Sequence, residues 1–252
     1  MNLKNLMKKD LLNLNKIPLN WFFLNTQTNS GVFNMACDSF LLESIESSYI
    51  LNPILRIYSW DKETFSVGAN QKEEQIISSI NSPIPIVKRI TGGQAVLHGI
   101  PSSELTYSIF LEFGNKVKEL YFEIGKVFLL FLKKYGLRGD YGYSDKNYLN
   151  NFNCFKSRTS ADIVVKNIKV IGSAQYRRNN YVLQHGSIKL DIIKNLSGKN
   201  ISFSQARDDL KDAFQKQLKI NFSDYLFSDK DYEGIRIHEK NVKVLNCTKI
   251  EA

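Results

Sequence analysis

The chain has 252 residues, 43% of them apolar and 23% charged, which is an ordinary globular composition with length enough for a substantial core in one large domain or two small ones. Its net charge of +9 is spread along the whole sequence, with no basic run interleaved with aromatics, so the footprint of a nucleic-acid platform is absent, whereas steering of acidic protein partners suits the charge. Three cysteines without close spacing (Cys37, Cys154, Cys247) indicate neither a disulfide framework nor a zinc site, and they point to a reducing, cytoplasmic setting.

The first residues mix Lys, Asn and Leu without the continuous apolar core of a secretory signal, and the greasiest stretch, Val127 to Leu132, is too short to span a bilayer. A soluble cytoplasmic protein with no membrane or nucleic-acid partner is the expectation. Leu3 to Leu14 reads as a short helix that Pro18 ends. Trp21-Phe22-Phe23-Leu24 is a first buried strand, closed by a polar turn over Asn25 to Ser30. Asn34 is placed to cap a helix to about Ser47, in which Cys37 falls among core-like neighbours as a small buried thiol. Two β-rich runs follow, Leu55 to Trp60 and Thr64 to Gly68, then a helix over Gln71 to Ser79 and a strand from Ile84 to Arg89.

The stretch Lys88 to Ser108 stands out. A basic pair, Lys88 and Arg89, precedes the turn Thr91-Gly92-Gly93, then Ala95-Val96-Leu97 ending at His98, and a strand resumes at Glu104. Consecutive glycines bring the main chain close to a ligand without side-chain obstruction, although Gly-Gly is also a common hairpin signal. Beyond it, Lys116 to Tyr135 has apolar residues at i, i+3, i+4 spacing and Gly136 as its stop, so it predicts a helix whose aromatic stripe is core. Asp140 to Phe152 reads as a loop leading to Asn153-Cys154-Phe155. Asp162 to Val165, Ile168 to Gln175 and Tyr181 to Leu190 form a β-meander. Ser204 to Leu218 is a second amphipathic helix, and the residues from Phe222 onward have no distinct pattern.

In this order, Phe33-Asn34-Met35-Ala36, Leu55 to Trp60, Phe65 to Gln71, Arg89 to His98, Ile171-Gly172-Ser173-Ala174-Gln175 and Leu183-Gln184-His185-Gly186-Ser187 resemble the lipoate-protein ligase and octanoyltransferase superfamily, related in fold to biotin-protein ligases. The resemblance implies an α+β fold with a mixed or antiparallel sheet and packed helices. Residues 1–20 are then an N-terminal extension and 21–252 one biotin/lipoate protein ligase-like catalytic domain. It also implies an acyl-binding wall from Gly92, Gly93, Ala95 and Val96, with Arg89 and His98 around the reacting group, Lys169 or backbone N–H groups near Gly172, Ser173 and Ala174 to bind the oxyanion, and His185 and Gly186 among the substrate-binding residues, with no metal and no cofactor. Gln94 departs from the pattern, where ligases commonly have a third glycine and transferases often have Arg.

Two chemistries divide the superfamily. Ligases activate free lipoate with ATP; octanoyltransferases hold an acyl group from acyl carrier protein on a cysteine and pass it to a lysine of a lipoyl domain or of the glycine-cleavage H protein. Cys154 lies fifteen residues before Lys169 and eighteen before Gly172, where the ligase-like transferase branch has its nucleophile. The resemblance therefore implies Cys154 and Lys169 as catalytic residues. Chemically, a free thiol with a pKa of about 8.5 is only roughly 3% thiolate at pH 7, so a nearby ammonium would activate it. An amidotransferase moving acyl groups between lipoylated proteins, an ATP-dependent ligase and an inactive lipoyl-domain-binding paralogue stay open on these residues.

Overall fold

The structure, a computed structural model, describes residues 17–80, 82–114, 116–142, 159 and 161–245. Within these residues the chain runs β1 (Asn20–Asn29), α1 (Gly31–Glu46), β2 (Ile54–Trp60), β3 (Thr64–Val67), α2 (Glu73–Ser79), β4 (Ile86–Lys88), β5 (Val96–His98), β6 (Glu104–Glu112) and α3 (Val117–Lys134). It continues with β7 (Gly139–Tyr141), β8 (Ile163–Val165), β9 (Ile168–Arg178), β10 (Tyr181–Lys189), α4 (Leu190–Ser197), α5 (Phe203–Leu218), β11 (Asn221–Asp224), α6 (Asp229–Glu239) and β12 (Val244–Leu245). The larger sheet has the order β11-β1-β2-β6-β10-β9-β8-β7, and the smaller β12-β4-β3-β5. Both are mixed: β1 is parallel to β2 and β11, β3 is parallel to β4, and the other pairings are antiparallel. This is the α+β architecture expected from the sequence.

The central strands bury both faces, and alternation decides what each face holds. Trp21, Phe23, Leu55, Ile57, Leu105, Tyr107, Ile109 and Leu111 turn to one side, where α3 and α5 cover them. On α3 the periodic residues Leu120, Ile124, Val127, Phe128, Phe131 and Leu132 all enter that core, and Gly136, at φ 77°, closes the helix where the sequence predicts. Each such aromatic side chain taken fully out of water contributes about 1.5–3 kcal/mol. The opposite face receives α1 through Ala36, Cys37, Phe40 and Leu41, packed on Leu24, Ile54, Phe110 and Leu183. A fully buried Cys37 is the small core thiol foreseen; burial pushes it up to about 12, against the pull of Arg56.

Several boundaries move, each for a local reason. The turn expected over Asn25 to Ser30 is strand instead, because Gln27, Thr28 and Asn29 pair with Tyr58, Ser59 and Trp60 after a bulge. Ser30, not Asn34, caps α1 by accepting from the Phe33 N–H, which frees the buried Asn34 amide for tertiary bonds. The patternless region after Phe222 holds α6, which carries a capping box between Ser228 and Asp231. The helix expected over Leu3 to Leu14, most of the Asp140 to Phe152 loop, and Cys154 lie outside the described residues. No helix among the described residues is long and apolar enough to cross a membrane.

Candidate active site

The strand registers lay out the cavity face of the larger sheet as rows running across the strands. Arg56, Ser108, His185 and Ala174 are successive cross-strand partners; Tyr58, Thr106, Ser187 and Gly172 form the next row. All four residues of this second row line a cavity of about 560 Å3, its mouth included, with Met35, Trp60, Val96, Gly93, Lys169 and Asp162 among the other walls. Three inter-strand spacings give the row a length of about 14 Å. Its β2 end is closed by Tyr58 and by Trp60, whose indole stacks on His98 with ring centroids 3.9 Å apart. Beyond the β9 end lies an ion pair, Lys169 Nζ to Asp162 Oδ2 at 3.0 Å, both side chains 2% exposed.

A hydrogen-bonded chain borders this furrow, and Arg89 is at its centre. The buried guanidinium donates through Nε to Thr91 Oγ1 (3.1 Å), through Nη1 to Ser66 Oγ (3.1 Å) and Ser66 O (2.8 Å), and through Nη2 to the carbonyls of Gly92 (2.9 Å) and Gln94 (2.7 Å). Each hydroxyl meets a histidine: Thr91 Oγ1 is 2.7 Å from His185 Nε2, and Ser66 Oγ is 2.8 Å from His98 Nε2. Each histidine then turns Nδ1 to a buried carboxylate, His185 to Asp38 at 2.9 Å and His98 to Glu104 at 2.6 Å. Arg56 pairs with Asp38 at 2.6 Å, and Lys189 pairs with Glu104.

The partners dictate the protons. A carboxylate only accepts, so both Nδ1 atoms carry hydrogen; both hydroxyls accept from Arg89, and Ser66 Oγ donates onward to Nε2 of His98. Burial lowers the His98 pKa against the opposing pull of Glu104, which keeps the ring neutral and Nε2 an acceptor. Burial alone would raise the Asp38 carboxyl, but Arg56 and His185 outweigh it and hold it below its ordinary value. Glu104 follows the same pattern and lies well below the usual carboxylate range, with Lys189 and His98 as its opposing partners. The Asp162 carboxyl goes the other way: burial raises it despite Lys169 and the Thr159 bonds.

Most residues singled out from the sequence meet in this one place. Arg89, Gly93, Val96, His98, Lys169, Gly172, Ser173, Ala174, His185 and Gly186 all line the cavity. Arg89 spends its donors on the protein, fastening the glycine turn. Gly92 reaches the site through its carbonyl on Arg89 and is not a lining residue. Ala95, expected in the acyl wall, packs instead into the smaller sheet's core with Val67, Ile76 and Ile86, because Val96 and His98 take the cavity side of alternating backbone. Close approach explains two glycines: a Cβ at Gly186 would overlap the Gly172 carbonyl oxygen, and one at Gly68 would overlap that of Gly93.

Asp38, Arg56, Glu104, Asp162 and Ser187 received no role from the sequence. A lone Asp within a helix pattern gives no local sign of burial, and Asp162 reads only as the start of a strand. The fixed distance between Lys169 and a carboxylate just before an apolar β-run was the available signal. Among the described residues no three His, Cys, Asp or Glu side chains could hold a metal ion.

Comparison with known proteins accords with this arrangement. The family model described as the lipoyl protein ligase A/B catalytic domain matches residues 30–218. The octanoyltransferase LipM of Carboxydothermus hydrogenoformans is 37% identical over 69% of this chain and 67% of its own, and that of Bacillus subtilis is 30% identical over 85% and 92%. Among solved structures, the bi-partite lipoate protein ligase of Thermoplasma acidophilum superposes with a TM-score of 0.67 at 17% identity, covering 88% of this chain and 93% of that one. A lipoate-protein ligase A bound with ATP gives 0.66 at 19% identity, over 88% and 94%. At these identities the structures speak for the fold, and the family model for descent. The chain belongs to the lipoyl protein ligase A/B catalytic domain family.

Proposed function

We propose that this protein is an octanoyltransferase of lipoate biosynthesis, taking octanoate from octanoyl-acyl carrier protein onto Cys154 and passing it to the lysine of a lipoyl domain or the glycine-cleavage H protein. The observation that carries this reading is the furrow of Tyr58, Thr106, Ser187 and Gly172, closed by aromatic rings at one end and leading to the buried Lys169–Asp162 pair at the other. Seven C–C bonds of about 1.5 Å in a zigzag span roughly 9 Å, which fits within its length. The relatives named octanoyltransferase LipM support the same activity.

In the first half-reaction the Cys154 thiolate adds to the donor's carbonyl carbon. A C–S bond forms while the C=O π pair moves to oxygen; collapse restores the carbonyl and breaks the C–S bond to the carrier thiolate, which takes up a proton from the Lys169 ammonium. In the second, the acceptor lysine's neutral amine adds to the Cys154 thioester, Cys154 leaves as thiolate, and the nitrogen's surplus proton passes to the Lys169 amine left neutral by the first half-reaction, which restores the ammonium. Before it gives up that proton, the Lys169 ammonium supplies positive charge to the Cys154 thiolate, and Asp162, 3.0 Å away, holds it in position.

The test is intact-mass analysis after incubation with octanoyl-acyl carrier protein. A hydroxylamine-sensitive octanoyl adduct is expected on the wild type and none on Cys154→Ala. Transfer of octanoate to the acceptor by Cys154→Ala at the wild-type rate would overturn the cysteine route.

A further inference from the structure

Among the described residues, the polar side chains around the furrow are paired, with one exception on its floor. His98 and His185 have both ring nitrogens engaged, and Thr106 accepts from Trp60 Nε1 and donates to Glu104, while the Ser173 hydroxyl meets that of Tyr107 on the other face of the sheet. Ser187 Oγ is buried, on a residue 3% exposed, and has no hydrogen-bond partner among the described residues. Buried hydroxyls are nearly always hydrogen-bonded in native proteins, so an exception that faces a cavity is a place for a ligand atom.

Its position says which atom. Ser187 lies between Thr106 on β6 and Gly172 on β9. The Thr106 side is taken by that residue's own bonds; the Gly172 side has no side chain. The hydroxyl is therefore one strand, about 4.8 Å, from the end of the furrow that leads toward Lys169. An acyl chain lying in the furrow with its tail against Tyr58 and Trp60 puts only methylenes beside Thr106, and its carbonyl at the Gly172 side. That carbonyl oxygen is the acceptor an octanoyl group brings.

We propose that Ser187 is a further catalytic residue, its hydroxyl donating to the acyl carbonyl oxygen and to the oxyanion that replaces it when the thiolate or the amine adds. This rests on the acyl-transfer reading. It adds a side-chain donor that no group among the described residues has to release before substrate arrives. Such preorganised donors act where charge develops, and removal of one lowers kcat by roughly 10²- to 10³-fold in hydrolytic enzymes.

Two experiments test it. Single-turnover acylation by octanoyl-acyl carrier protein is compared in wild type, Ser187→Ala and Ser187→Thr. The expected result is a fall in kcat of roughly 10²-fold or more for Ser187→Ala with KM little changed, retention of most of the rate by Ser187→Thr, and an unchanged melting temperature. Acylation of Ser187→Ala at the wild-type rate overturns the assignment, as does a change confined to KM.

The second uses an octanoyl thioester labelled with 13C at its carbonyl, bound to Cys154→Ala so that no chemistry is required. Its infrared carbonyl band is expected at lower frequency than in the Cys154→Ala, Ser187→Ala double variant. An identical band in both overturns the proposal. Failure of the cysteine route looks different: the wild type forms no adduct while the band difference remains.

Discussion

Asp38 and His185, 147 positions apart in the chain, meet at 2.9 Å between the face of α1 and strand β10. The same carboxylate receives Arg56 and the Ser108 hydroxyl, so one helix residue gathers partners from three neighbouring strands. Asp38→Ala is expected to leave the Arg56 guanidinium buried beside an emptied site and to cost about 3–5 kcal/mol, measurable as a lowered urea midpoint. The loss should far exceed that of an exposed pair such as Lys116–Glu119, for which less than about 1 kcal/mol is expected.

Acid should weaken the fold in two stages. His98 is held below its ordinary value, so on acidification the unfolded chain takes up a proton near pH 6.5 that the folded chain refuses, and stability falls from there downward. Asp38 and Glu104 are also held low; the stability they contribute is complete above the unfolded carboxyl value of about 4, begins to fall below it, and is lost only as pH falls through their still lower folded values. Thermal midpoints measured from pH 8 to pH 3 are expected to show both declines, and His98→Gln to remove the upper one.

Gly186→Ala tests the contact between β9 and β10. A Cβ there meets the Gly172 carbonyl, backbone that has no room to retreat, and the Tyr107 ring. Overpacking costs about 1–3 kcal/mol, and because the displaced carbonyl belongs to the furrow's floor, transfer activity should drop well beyond what the lost stability explains. Octanoyl transfer at a temperature where the variant is fully folded separates the two effects.

Met35 lines the cavity from α1 and packs with Tyr58 and Trp60. Met35→Ala should lengthen the accepted chain, raising the preference for decanoyl over octanoyl donors by about tenfold, since a methylene in an apolar pocket discriminates by about 1–3 kcal/mol. Competition between the two acyl carrier protein thioesters reads this directly. An unchanged ratio would place the chain's end elsewhere.

The parts of the site that sequence makes legible are those where the backbone itself is constrained. Gly93 at φ 94°, the close pair Gly68 and Gly93, and Gly186 against Gly172 leave glycines at fixed places in a β-rich pattern. The histidines beside them follow. Long-range polar pairing leaves no such trace: nothing near Asp38 announces Arg56, and nothing near Glu104 announces Lys189, because the partners come together only when β2, β6 and β10 align. Strand β11 and helix α6 were missed for a different reason. Asn221–Asp224 pairs at a sheet edge with little burial, and α6 buries mainly Asp231 and Ile235, so neither needs the strong apolar period that reveals α3. The Ser228 and Asp231 spacing was a readable helix start even there.

Because successive residues of β2, β6 and β10 face opposite sides, cavity and apolar core are interleaved in the sequence yet separate in space. Leu55, Ile57, Leu105, Tyr107 and Ile109 fill the apolar core, while between them Tyr58 and Thr106 line the cavity and Arg56 and Ser108 bind Asp38 behind it. Substitutions at the lining positions Tyr58 and Thr106 can leave the apolar core untouched, which gives the site room to diversify on a constant scaffold. The same interleaving forbids a one-residue insertion within these strands: it would turn the furrow's polar groups into the core and its core groups into the furrow.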